Sequence, residues 1–429
     1  MKGTNVKMQK AERKITRKTK SNRGITLIAL VITVVILIIL ATVTLNVVLG
    51  EGGLIDRAQQ AKDLTEQAAL EEQQGLNSLM SEMANIMEEE KTPQPPTPIG
   101  EAKPNPNEDG PKFENTTTVT DDLDNEVTIP GGFHLDKDSG TKVEEGIVIE
   151  DESGNQFVWI PVGEYNVTEE IEKITEPDTQ DGKLTNELSR RQWADENVVE
   201  KPTLVNGDEA IAGPWYESYK DSYYGEGNSL SVAKNQIAAF KTSAINNKGF
   251  YVGRYEAGTE KDRNGGESSF ETPLVQANKY PYGYIIRDQA KTQAEVMYSG
   301  NEFITSELIS SYAWDTTLNF ICQTNEEGYL LSTTTDKKYA NIGTRNKTKT
   351  GEYSADSYSK IHDFLGNCDE WTTEYSDYYN ENYSFECVPR GGSYYDGLYP
   401  AFRGHNRNTV DSTTYFYSFR IQLYINPAN

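Results

Sequence analysis

The sequence predicts an α+β protein, with a long N-terminal membrane and stalk helix followed by a loop-rich domain. Three observations carry this. No charged residue stands between Gly24 and Gly50. Apolar residues then recur every three or four positions over residues 54–90. Beyond residue 113, short β-branched and aromatic runs are separated by long stretches rich in Gly, Asn, Ser and Tyr.

Each element follows in order. Residues 1–24 hold nine Lys or Arg against one acid, Glu12. Such a leader stays on the cytoplasmic side and sends the chain after it outward. Residues 25–49 are Ile, Leu, Val and Ala broken only by Thr26, Thr33, Thr42, Thr44 and Asn46. As a helix they reach roughly 37 Å, enough for a bilayer core about 30 Å thick. The threonine hydroxyls can bond back to helical carbonyls. The run is longer than a secretory h-region and lacks an A-x-A-like end. The junction Arg23-Gly24-Ile25-Thr26-Leu27-Ile28-Ala29-Leu30 resembles the cleavage and methylation site of type IV prepilins. The resemblance implies a peptidase cut between Gly24 and Ile25, methylation of the new N-terminus, and packing of residues 25–49 among other pilin-like subunits. That family usually has Glu at the fifth mature position, where this chain has Ala29. The alternative is an uncleaved signal anchor.

A polar break at 50–53 precedes the amphipathic stalk helix, residues 50–90 in all. Residues 91–112 contain Pro93, Pro95, Pro96, Pro98, Pro104, Pro106 and Pro111 and read as an extended spacer. The head is expected over 113–429. Its early strands are Val127–Ile129, Gly146–Ile149 and Phe157–Ile160, with a hairpin turn at 151–155. Polar residues 164–228 read as a surface insertion. Ser229–Ala244 reads as a helix capped by Ser229, and Gly249–Glu256 as a central strand. Ile304–Cys322 carries aromatic and aliphatic residues at helical intervals. The remainder reads as short strands at best, around aromatic anchors.

Composition narrows the function. The formal charge is −25, and without the leader 32 bases face 65 acids, a charge of −33. A chain so acidic does not bind nucleic acid through its overall field. Cys322, Cys368 and Cys387 are too few for a disulfide framework, although one Cys368–Cys387 bridge would leave a single thiol over. His134, His362 and His405 show no metal-site spacing. No Ser/His/Asp order, Gly-rich phosphate loop or H-E-x-x-H is present.

The order F-V-W-I-P (157–161), G-F-Y-V-G-R-Y-E (249–256), Trp314-Asp315, G-N-C-D-E-W-T (366–372), R-G-G-S (390–393) and S-F-R (418–420) resembles the formylglycine-generating-enzyme, or sulfatase-modifying-factor, family. The resemblance spans about residues 125–425 and implies a C-type-lectin-like head. Its fold anchors would be Trp159, Trp314, Trp371, Arg390, Gly391, Gly392, Phe419 and Arg420. Trp371 and Phe419 read as core anchors, Gly391-Gly392 as a tight turn, and Arg390 or Arg420 as donors to loop carbonyls. The family's chemistry does not carry over. Its two catalytic cysteines, which bind copper and the substrate peptide, fall at Asp396 and Ala401. The related iron-dependent sulfoxide synthases need several His ligands, and His362 and His405 alone cannot supply them. No catalytic cofactor is therefore expected; a structural calcium ion is the one exception allowed.

What remains between Gly392 and Ser418 is a dense set of recognition-type side chains: Tyr394, Tyr395, Asp396, Tyr399, Phe402, His405, Asn406, Asn408, Tyr415 and Tyr417. Tyr supplies large contact area with only two torsions. In lectin-fold proteins diversified by retroelements the variable segment has this position and flavour. The expectation is a pilin-like adhesin or minor pilin, anchored in the cell membrane with its head outside the cell, binding an extracellular protein or glycan and no nucleic acid. The alternatives are a metal-dependent oxidoreductase of the resembled family and a purely structural minor pilin.

Overall fold

The computed structural model describes residues 31–40, 96–175 (except 104 and 106), 181–192, 203–204, 215–217, 229–325 (except 268), 331, 336–380, 383–395 and 414–427. The chain divides into two units, Met1–Gln94 and Pro95–Asn429.

In the first unit, residues 31–40 are helical and exposed. Among the described residues no helix is long and apolar enough to cross a membrane. This corrects the expected fold class: the described chain is mixed α/β, with mostly small sheets and few helices, and has no long apolar N-terminal helix. The remainder of 25–49, the junction Gly24-Ile25 and the stalk 50–90 lie outside the described residues.

In the second unit the strands that frame the site are, in chain order, β1 His134–Leu135, β2 Val148–Glu150, β3 Gln156–Pro161, β4 Trp215–Glu217, β5 Gly249–Gly253, β6 Ile304–Leu308, β7 Asp369–Asn380, β8 Tyr383–Arg390, β9 Tyr417–Phe419 and β10 Ile421–Ile425. The principal helices are α1 Ser229–Asn246, α2 Arg287–Met297 and α3 Ser311–Thr324. The main sheet is antiparallel throughout, in the order β6-β10-β5-β3-β2-β1. A second sheet runs β4-β7-β8, with β9 parallel to the start of β7.

The centre of the main sheet is covered on both faces, so β3 and β5 are apolar without alternation, and every residue of β5 is buried. Trp159 meets Tyr251 edge-on at 5.0 Å. Gly249 makes room for it, since a Cβ there would stand 2.3 Å from the Trp159 ring. Phe240 of α1 packs on Phe250 and Tyr424 at 5.1 and 5.9 Å. Helix α3 begins with the Ser310 side chain accepting from the Ala313 N–H at 3.2 Å. It is buried over nearly its whole length.

Several sequence expectations change. Ile304–Leu308 is a strand, and the helical spacing begins only at Ser311. The last third holds long strands: β7 has 12 residues and β8 has 8. Their Thr- and Tyr-rich sequences are strong strand formers, and polarity hid them. Parts of 164–228 are built into sheets, with Gly163–Asn166 pairing Lys183–Asn186 and β4 pairing β7. Within 91–112, Thr97–Pro98 pairs with Thr117–Thr120, and Ile99 and Ala102 are buried. The Lys103 ammonium donates to the carbonyls of Asp136 and Lys137 at 2.7 and 2.6 Å. Cys368 is a free, buried thiol and forms no bridge.

Candidate recognition site

The expected anchors are core residues, and Trp371 reaches the site through Tyr417 and Phe416. Trp159, Trp314, Trp371, Arg390, Phe419 and Arg420 are all fully buried. The Arg390 guanidinium donates to Asp315 Oδ1 at 2.6 Å and lies 3.9 Å over the Trp314 ring. Arg420 donates to Glu370 Oε1, to the Gly253 carbonyl and to the His362 carbonyl at 2.7, 2.7 and 2.9 Å. Both arginines thus hold buried carboxylates, and Arg420 also serves two backbone carbonyls, one of them at the end of β5. The Trp371 indole donates to the Ile285 carbonyl at 2.9 Å. Gly391 and Gly392 take φ of +96° and +73°, which the turn after β8 requires.

An aromatic cluster stands at the two ends of the segment expected to bind. Tyr395 and Tyr415 are 38% and 37% exposed. Tyr395 stacks on Phe416 with centroids 5.2 Å apart and meets Tyr415 edge-on at 5.7 Å. The Arg345 guanidinium lies 4.1 Å from the Tyr395 ring centre, a cation–π contact worth about 0.5–1 kcal/mol where exposed. Tyr284 joins Tyr415 at 6.3 Å. Burial first, and the adjacent Tyr395 phenol second, raise the Tyr415 hydroxyl above its ordinary value.

Backbone bonds pin both ends of the segment. Arg345 N–H donates to the Tyr394 carbonyl at 2.7 Å, and Tyr284 N–H to the Thr414 carbonyl at 2.9 Å. Both donors sit at positive φ, +63° for Arg345 and +53° for Tyr284. That conformation is unusual for bulky residues and collects at functional sites.

Two expected binding residues turn away from solvent. Tyr417 is buried and packs 4.5 Å from Trp371. Tyr394 is buried as well, with its N–H on the Asn367 carbonyl at 2.8 Å. Burial pushes its hydroxyl far above the ordinary range. Asp396, Tyr399, Phe402, His405, Asn406 and Asn408 lie outside the described residues. Sequence reading missed Arg345 and Tyr284. Each is a lone loop residue, and the one available signal was the basic run Arg345, Lys347, Lys349 in an acidic chain.

Beneath the cluster lies a group of fully buried acids that the sequence reading did not single out: Glu256, Asp356, Asp363 and Glu370, with Arg420 beside them. Two were in plain view, since Glu256 ends the G-F-Y-V-G-R-Y-E run and Glu370 stands inside G-N-C-D-E-W. Burial raises all four, most strongly Glu256 and Asp356, and Asp363 is pushed up to about 7. His362 stacks on Tyr255 at 4.9 Å and is pushed down to about 4, by burial first and then by Arg254 and Arg420. Among the described residues no group of three or more His, Cys, Asp or Glu is arranged to hold a metal ion. No family model, curated protein or solved structure matches the chain.

Proposed function

We propose that Pro95–Asn429 is a ligand-recognition module whose binding surface is built on Tyr395, Tyr415, Tyr284 and Arg345. The observation that carries this is a contrast in exposure. The flanking aromatic anchors are buried, while Tyr395 and Tyr415 stand exposed at the ends of one Tyr/Asn-rich segment. Aromatic and Arg side chains on a rigid base are what interface hot spots are made of. The ligand is an extracellular protein or glycan. Delivery outside the cell rests on the basic leader and the prepilin-like junction Gly24-Ile25. The formylglycine-generating-enzyme resemblance supports a recognition surface without that family's catalysis, because Asp396 and Ala401 stand where the enzymes have cysteines.

The test is a screen of the full chain against a glycan array and a panel of extracellular proteins. The expected result is a ligand whose binding falls at least tenfold in Arg345→Ala and in Tyr395→Ala. Copper or iron bound in stoichiometric amount would instead favour the oxidoreductase reading. A bound ligand unaffected by either substitution would move the surface elsewhere.

A further inference from the structure

Segment 341–351, which carries Arg345, is fastened at both ends to side chains that touch the buried acids. At one end, Asn367 accepts from the Thr348 N–H and the Asn341 amide at 3.0 and 3.2 Å. The Asn367 amide donates to Glu256 Oε1. The Asn367 backbone also accepts from Tyr394 and donates to the Asn341 carbonyl at 2.8 and 3.0 Å. At the other end, Gly351 N–H donates to Asp363 Oδ2 at 2.6 Å. Glu256 Oε2 and Asp363 Oδ1 meet no described donor. Arg345 and Tyr394 are then joined by their own backbone bond.

We propose that the buried carboxyl cluster is a proton-operated latch on segment 341–351, holding Arg345 and Tyr395 in register at mildly acidic pH and loosening them as pH rises. This rests on the reading of that surface as the recognition site.

The charges give the direction. Glu256 faces Asp363, Glu370 and Arg420; Asp356 faces Asp363, Glu370 and Arg420; Asp363 also faces Glu352. Around them stand His362 with Arg254 and Lys360, and Cys368 with Asp369 and Lys347. One guanidinium, Arg420, thus stands among four buried carboxyls. If all ionised, like charges would crowd a space that water does not reach, which is costly unless they are paired. Protons remove that cost. The raised positions of the acids agree: a carboxyl that titrates near 7 folded and near 4 unfolded makes the folded state bind more protons between those values, so stability falls as pH rises across that window. His362, pushed down to about 4, works oppositely between about 4 and 6.5 and cannot act above it.

The experiment uses the full chain without ligand. Hydrogen exchange of the Arg345 and Tyr394 amides is followed at pH 6 and pH 8, corrected for intrinsic rates, beside thermal melting from pH 5.5 to 8.5. The same measurements are made on Asp363→Asn and Glu256→Gln, neutral isosteres of the protonated acids. Protection of the Arg345 and Tyr394 amides is expected to fall at least tenfold from pH 6 to pH 8, while β5 stays protected. Melting should fall by about 2 °C per pH unit for each titrating carboxyl, and each variant should flatten that slope. Equal protection at both pH values would overturn the proposal. So would variants that melt lower at every pH with an unchanged slope, since the acids would then be ordinary hydrogen-bond partners. Calcium chloride restoring full protection at pH 8 would also overturn it, because a metal ion rather than a proton would be the neutralising charge. Failure of ligand binding leaves these readouts unmoved, so the two readings fail separately.

Discussion

The two tiers of the C-terminal unit use the same residue types to opposite ends. Below, Arg390 and Arg420 are fully buried against Asp315 and Glu370, and Trp314 and Trp371 are sealed by Phe364 and Tyr417. Above, Arg345 lies over Tyr395, and Tyr395 and Tyr415 keep more than a third of their surface in water. An arginine below cannot lose its partner without leaving a charge in the core. An arginine above can turn to a ligand at little cost. Position in the fold, not side-chain type, separates anchor from contact.

Breaking the lower tier should cost most. Asp315→Ala leaves Arg390 buried beside Trp314 without its 2.6 Å bond to Asp315, with the Glu374 carboxylate 3.7 Å from its guanidinium. We expect a loss of about 3–5 kcal/mol, read as a fall in denaturation midpoint. Trp371→Ala removes a fully buried ring and the bond to Ile285, with a similar loss of roughly 3–5 kcal/mol. Gly249→Ala drives a methyl into Trp159 and the Ile160 carbonyl, for about 1–3 kcal/mol. All three should lower the denaturation midpoint, Gly249→Ala the least.

A smaller effect comes from Glu307, which is buried beside Gln422 and Tyr424 and pushed up to about 7. Its folded form holds a proton that the unfolded form releases near pH 4.5. Its contribution to stability therefore falls as pH rises from about 4.5 to 7 and is constant above that. Glu307→Gln should remove this part of the pH dependence and stabilise the protein at pH 8, on the order of 1–3 kcal/mol. Melting curves at pH 5 and pH 8 show whether the gain appears only at the higher pH.

Much of the lower tier was legible in the sequence. Tryptophans, paired glycines and arginines in ordered short motifs mark positions where only one side chain or backbone conformation fits. The central strand Gly249–Gly253 was legible for the same reason, as an apolar run with Gly at its packing contact. The long strands β7 and β8 were not, because Thr, Tyr, Ser and Glu in succession also describe a polar loop. The exposure of Tyr395 against the burial of Tyr394 and Tyr417 could not be read either. Three tyrosines of one segment differ only in what the fold brings beside them. For the N-terminal apolar run composition implied a membrane span, whereas among the described residues no helix is long and apolar enough to cross a membrane.

The comparison is tested most directly by one paired measurement on the double variant Tyr395→Ala/Tyr415→Ala. Binding to the glycan array and the extracellular protein panel is measured beside the melting temperature, with the full chain as reference. The two rings bear on each other and on half-buried Phe416 and on none of the fully buried anchors, so melting should fall by no more than about 5 °C, while binding is lost. Early melting with unchanged binding per folded molecule would show these tyrosines to be core and would contradict the account.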